Sequence, residues 1–151
     1  MANQHISPLD AHLAYWLRYV SNHVSHAFAH KVAMRGVSVA EWVVLRELYV
    51  APAVPSAIAA KLGMTRGGIS KIVDRLEGKA LLTRTPSMTD RRSQTLTLTK
   101  AGQALVPKLA ALADRNDEEF FSHLDAAQRA GLAAAMQEIV RRSGLRSVPI
   151  E

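Results

Sequence analysis

The chain has 151 residues with 19 basic and 13 acidic side chains and a formal charge of +6. It holds no cysteine, which excludes disulfides, thiolate nucleophiles and cysteine-ligated zinc, and its length suits one domain, or a small domain extended by helices for pairing. The charge is uneven: from Ser56 to Lys100 nine basic residues stand against three acidic ones, a net of +6, while the flanks carry ten of each and sum to zero. A polyanion is therefore drawn to one third of the molecule. Met1–Asp10 lacks the apolar core of a secretory leader, and no apolar run approaches the ~20 residues of a membrane span, so a cytoplasmic protein with no membrane partner is expected.

In chain order, Leu9 to Arg35 is free of proline and glycine. Leu9, Leu13, Leu17, Val20, Val24, Ala27 and Phe28 recur there at three- and four-residue steps, predicting one long amphipathic helix that Gly36 stops. Ser38-Val-Ala-Glu41 reads as a capping box opening a second helix, with Trp42, Val43, Leu45 and Leu48 inward, that ends before Pro52. Pro55 suits a first helical turn, so Ser56 to Leu62 makes a short third helix closed by Gly63. Thr65 is then a natural N-cap for a fourth helix, oily at Ile69, Ile72, Val73 and Leu76 and basic outside.

From Leu81 the period shortens, and Thr95-Leu-Thr-Leu-Thr99 alternates as a strand does, which makes a hairpin with a basic tip at Asp90, Arg91 and Arg92. Beyond Thr99 a long helix runs past Leu105, Leu109 and Leu112 to Phe120 and Leu124, with Pro107 either kinking it or shifting its start. Asp125-Ala-Ala-Gln128 opens a last helix carrying Leu132, Met136, Ile139 and Val140. The fold class expected is mainly α with a small β-hairpin: a winged helix-turn-helix over residues 36–100, between dimerisation helices at 1–35 and 101–151.

A helix suited to the major groove followed by a basic arm suited to the minor groove, with all the net charge between them, points to double-stranded DNA. A protein coating nucleic acid without sequence preference could use the same basic lobe. However, the tryptophans and tyrosines all precede Pro52, away from the basic face, where they cannot stack on single-stranded bases. An enzyme is not indicated: there is no phosphate-cradling glycine loop, no metal-ligand set and no nucleophile with an evident partner, so no catalytic residue and no cofactor is nominated.

Ser38 to Leu48, Ile58 to Gly63, Ile69-Ser-Lys-Ile-Val-Asp-Arg-Leu-Glu77, Leu81 to Arg84 and Thr89-Asp-Arg-Arg-Ser93 before Leu98-Thr99 closely resemble the MarR family of bacterial transcriptional regulators. The resemblance runs through nearly the whole chain. It implies a homodimer with interlocked terminal helices, and a repressor of the kind that small aromatic or phenolic ligands release. It also implies major-groove and phosphate contacts at Thr65, Arg66, Gly67, Ser70, Lys71 and Arg75, with Arg66 and Lys71 at base edges. In the wing it implies a minor-groove Arg92 braced by Asp90, with Arg91 on phosphate. Lys79 is expected to add at most a uniform electrostatic attraction. Two glycines at 67 and 68 weaken a helix start, and they read either as a close approach to the duplex or as a turn that simply tolerates them.

In the first helix, His12, Tyr15, Tyr19, His23, His26 and His30 fall in one stripe beside the leucine face, with Trp16 between the two. Three readings stand. His26 and His30 have the spacing to share a metal ion, but no carboxylate or thiolate completes a site and no metal is assigned. The stripe otherwise packs at a boundary between subunits or domains. On the family resemblance, Trp16, Tyr19, His23 and Trp42 border an effector pocket.

Overall fold

The computed structural model describes residues 5–87 and 94–145. A 3-10 turn, Leu9–Ala11, leads through an extended His12 (φ −96°, ψ 129°) into helix α1 (Leu13–Ala33). The helix expected from Leu9 thus starts four residues later. The turn is held by the Trp16 indole N–H, which donates to the Asp10 carbonyl at 2.8 Å. At the other end Gly36 takes φ +80°, the left-handed conformation that glycine adopts without steric cost, and redirects the chain.

Helix α2 (Val39–Val50) opens on the complete capping box: Ser38 Oγ accepts from the Glu41 N–H at 3.1 Å, and Glu41 Oε1 accepts from the Ser38 N–H at 3.3 Å. Helix α3 (Pro55–Leu62) ends at a left-handed Gly63, and α4 (Arg66–Gly78) follows after one tight turn. Strands β1 (Leu82–Pro86) and β2 (Gln94–Leu98) pair antiparallel, Leu82 facing Leu98 and Arg84 facing Leu96. Ala53 adds a short bridge to β2, exchanging both backbone hydrogen bonds with Leu96 at 3.2 and 2.8 Å. Helix α5 (Lys100–Phe121) starts under a Thr99 cap and includes Pro107 without a shift of its start. Helix α6 (Ala126–Arg142) begins at the Asp125–Gln128 capping box.

The core lies in the middle of this order. Val44, Leu45 and Leu48 of α2 meet Ile58 and Leu62 of α3, the four apolar residues of α4, Leu82 and Leu96 of the hairpin, and Val106 and Leu109 of α5. Each fully buried aliphatic side chain contributes about 1.5–3 kcal/mol, so the lobe carries most of the chain's own hydrophobic stabilisation. The terminal helices contribute little to it: Val32 is the buried residue of α1, and α6 has none. Leu13, Leu17 and Val20 of α1, with Leu132, Met136, Ile139 and Val140 of α6, remain exposed.

A polar cluster ties α1 to α5. Asn116 is buried, its amide donating to the Val24 carbonyl at 3.2 Å and its Oδ1 accepting from Lys31 Nζ at 2.9 Å, while the same ammonium reaches Glu119 at 2.7 Å. No helix among the described residues is long and apolar enough to cross a membrane.

Candidate nucleic-acid interface

Helix α4 is built to show one face. Ile69, Ile72, Val73 and Leu76 are buried in the lobe, and this leaves Arg66, Gly67, Ser70, Lys71 and Arg75 exposed on the opposite side. Thr65 caps the helix, its Oγ1 accepting from the Gly68 N–H at 3.0 Å. The hydroxyl hydrogen stays available to donate outward, and the N–H groups of the first turn point out of the helix end, where an anion is favoured.

The glycines differ. A Cβ on Gly67 would meet no atom within 4 Å, whereas one on Gly68 would lie 3.1 Å from Thr65 Oγ1. The fold thus asks for a small residue at 68 and makes no demand at 67.

The positive charge of the lobe is divided. Arg84 on β1 pairs with Asp74 and, at 3.3 Å, with Glu77, which turns both carboxylates of α4 toward the hairpin. Lys61 pairs with Glu47 at 2.5 Å, and Lys79 with Glu41 at 2.6 Å. Arg66 and Lys71 have no side-chain partner among the described residues, and Arg75 makes only a long contact, 3.4 Å, to the Lys71 carbonyl of its own helix. The uncompensated cations of α4 therefore sit on its outer face. Lys79 is not one of them, since its ammonium is paired with Glu41.

The wing residues Asp90, Arg91 and Arg92 lie outside the described residues. Of the four residues nominated for an effector, Trp16 and Tyr19 are exposed beside Tyr15, at ring-centroid distances from it of 5.1 and 6.1 Å, and His23 meets Phe120 of α5 edge-on at 5.5 Å. Trp42 is half-buried against the core of the lobe. Two hollows are lined by other residues: one by Arg115, Glu118, Glu119 and Ser122, the other by Glu47, Pro52, Ile58, Lys61 and their neighbours. No group of three metal-ligating side chains occurs among the described residues.

Sequence patterns did not reveal the second role of Glu41, the Arg84 pairing or the Asn116 contact, since each joins residues distant along the chain. Gly102 was missed as well. A Cβ there would fall 2.2 Å from the Leu81 carbonyl oxygen, so the first turn of α5 can press on the turn between α4 and β1 only with glycine at this position.

A short helix, a tight turn, a basic exposed helix and a two-stranded hairpin define a winged helix-turn-helix, held between long terminal helices. Residues 35–93 match the model of the MarR family. A putative transcriptional regulatory protein for the hcr operon of Thauera aromatica is 32% identical over 87 residues, 58% of this chain and 52% of its own. The match thus spans about half the length of that relative. Among solved structures, a MarR mutant from E. coli complexed with operator DNA superposes with a TM-score of 0.76 at 21% identity, covering 85% of this chain and 93% of that one. Bordetella bronchiseptica BpsR, described for regulation of its DNA binding by 6-hydroxynicotinic acid, gives 0.77 at 20% identity, covering 89% and 97%. The segment 35–93 belongs to the MarR family, and the fold that carries it is that of E. coli MarR.

Proposed function

We propose that this chain is a sequence-specific, double-stranded DNA-binding transcriptional regulator and not an enzyme, working in the cytoplasm as a homodimer on a pseudo-palindromic operator. The observation that carries this reading is the division of α4: a buried apolar side, two carboxylates withdrawn to Arg84, and Arg66, Gly67, Ser70, Lys71 and Arg75 together on the exposed side. Long donors at Arg66 and Lys71 suit guanine O6 and N7, and Thr65, Ser70 and Arg75 suit phosphate. Asp90, Arg91 and Arg92 complete the reader in the minor groove, Asp90 bracing Arg92.

Pairing is supported by the exposed apolar residues of α1 and α6, which a monomer leaves in water. Repression relieved by a small aromatic or phenolic effector is supported by the regulation of BpsR and by the aromatic side chains of α1. We assign that effector to Trp16, Tyr19, His23 and Trp42.

Replacing Arg66 tests the reading. On duplexes selected by the native protein from a random pool, Arg66→Ala is expected to relax discrimination at one base pair per half-site, by about 1–3 kcal/mol. An equal loss on every duplex would show that Arg66 contacts phosphate alone.

A further inference from the structure

Lys79 is the residue at which charge and geometry part company. It closes α4: its backbone N–H donates to the Arg75 carbonyl at 3.0 Å. Its ammonium turns back, away from the exposed face of the helix, and reaches the Gly36 carbonyl at 2.8 Å and Glu41 Oε2 at 2.6 Å. Gly36 lies in the connection between α1 and α2, and Glu41 in the first turn of α2.

Glu41 is 3% exposed, and its other oxygen is already engaged by the Ser38 N–H in the capping box. A carboxylate removed from water in this way needs a cation, and removing one partner of such a pair leaves the other charge buried and uncompensated. The Gly36 carbonyl is presented by the left-handed turn that ends α1. Lys79 therefore joins three elements at one point: the end of α1, the start of α2 and the end of α4.

We propose that Lys79 is a positioning residue for DNA recognition. It holds the C-terminal end of α4 on the α1–α2 connection and so sets the angle at which Arg66 and Lys71 meet base edges, while contacting no phosphate itself. The inference rests on the reading of α4 as the recognition helix. Its mechanical basis is length: thirteen residues make a helix about 20 Å long, so a tilt of roughly 10° about the anchored end moves the first turn by about 3 Å. Hydrogen bonds to bases do not survive such a displacement, whereas attraction to phosphates changes little.

The test compares the native protein with K79M, K79R, E41Q and the K79M/E41Q double variant. Each is titrated on a duplex enriched by the native protein from a random 30-base-pair pool and on its scrambled form, between 50 and 200 mM salt, with circular dichroism confirming the fold. K79M is expected to lose at least tenfold in affinity for the selected duplex and less than twofold for the scrambled one, with the salt slope unchanged. K79R restores the preference to within a few-fold, and the double variant is no worse than K79M.

A uniform loss on both duplexes, with the slope of log K against log salt falling by about 0.9, identifies a phosphate contact and overturns the proposal. An unchanged preference overturns it too. If K79M does not fold, E41Q decides by the same criteria, since it keeps an acceptor for the Ser38 N–H. A native protein that enriches no duplex refutes the recognition reading itself, and this inference with it.

Discussion

The proposed function keeps a side chain off Gly67, whereas the fold makes no demand there. At ~100° per residue it lies almost directly opposite the buried Ile69 and Leu76, and a methyl group there meets nothing. Gly67→Ala is therefore expected to stabilise the protein by about 0.5–1 kcal/mol, because glycine in a helix carries excess unfolded-state entropy. The same methyl would stand between the first turn of α4 and the duplex, so affinity for a selected operator should fall. Thermal denaturation and duplex titration of the one variant check both halves, and undiminished binding would show that the glycine is merely tolerated. The outer face of α4 was readable from the sequence because the helical period separates it from the core. Roles that depend on distant partners were not readable: Glu41 is recognisable as a capping residue from its neighbour Ser38, but its bond to Lys79 spans 38 positions.

Among elements, the junction of α4, the wing and α5 is the most constrained. Ala80 sits in the left-handed region at φ +57°, closing α4 while the Leu81 N–H donates to the Leu76 carbonyl at 3.0 Å. The Ala80 carbonyl then accepts from the Thr99 hydroxyl at 2.7 Å, and the Leu81 carbonyl from the Thr99 N–H at 3.1 Å. A β-carbon in that conformation costs roughly 1 kcal/mol, so Ala80→Gly is expected to recover up to about that amount. Gly102→Ala should act in the other direction. It drives a methyl into the Leu81 carbonyl oxygen, backbone against backbone, at a cost toward the upper end of the roughly 1–3 kcal/mol typical of overpacking. Chemical denaturation of the two variants measures both signs, and no change for Gly102→Ala would mean that α5 can slide off the junction. Helix starts at Ser38, Thr65, Thr99 and Asp125 were legible because capping is local chemistry. The break at His12 and the Ala53 bridge to Leu96 were not, since the first depends on an indole reaching back to Asp10 and the second on tertiary approach.

At the scale of the molecule, the periodic apolar face read along α1 is real as a pattern but largely uncovered in a single chain. Leu13 is 79% exposed, and Ile139 of α6 is 52% exposed. Sequence periodicity reports that a face is apolar, not whether its cover comes from the same chain. In the account proposed here a second copy covers both helices, and the neutral flanks then hold two basic lobes about one turn of DNA apart, roughly 34–36 Å. Lys79 and the α4–α5 junction would carry that spacing to the reading face, so a ligand lodged near α1 would act by altering geometry without touching DNA. The most direct test is equilibrium binding at physiological salt to a duplex selected by the native protein and to its scrambled form, with the mass of the complex read by sedimentation. The account predicts two chains on each duplex and a preference of about a thousandfold or more for the selected sequence. Equal affinity for both duplexes, or a single chain in the complex, would contradict it.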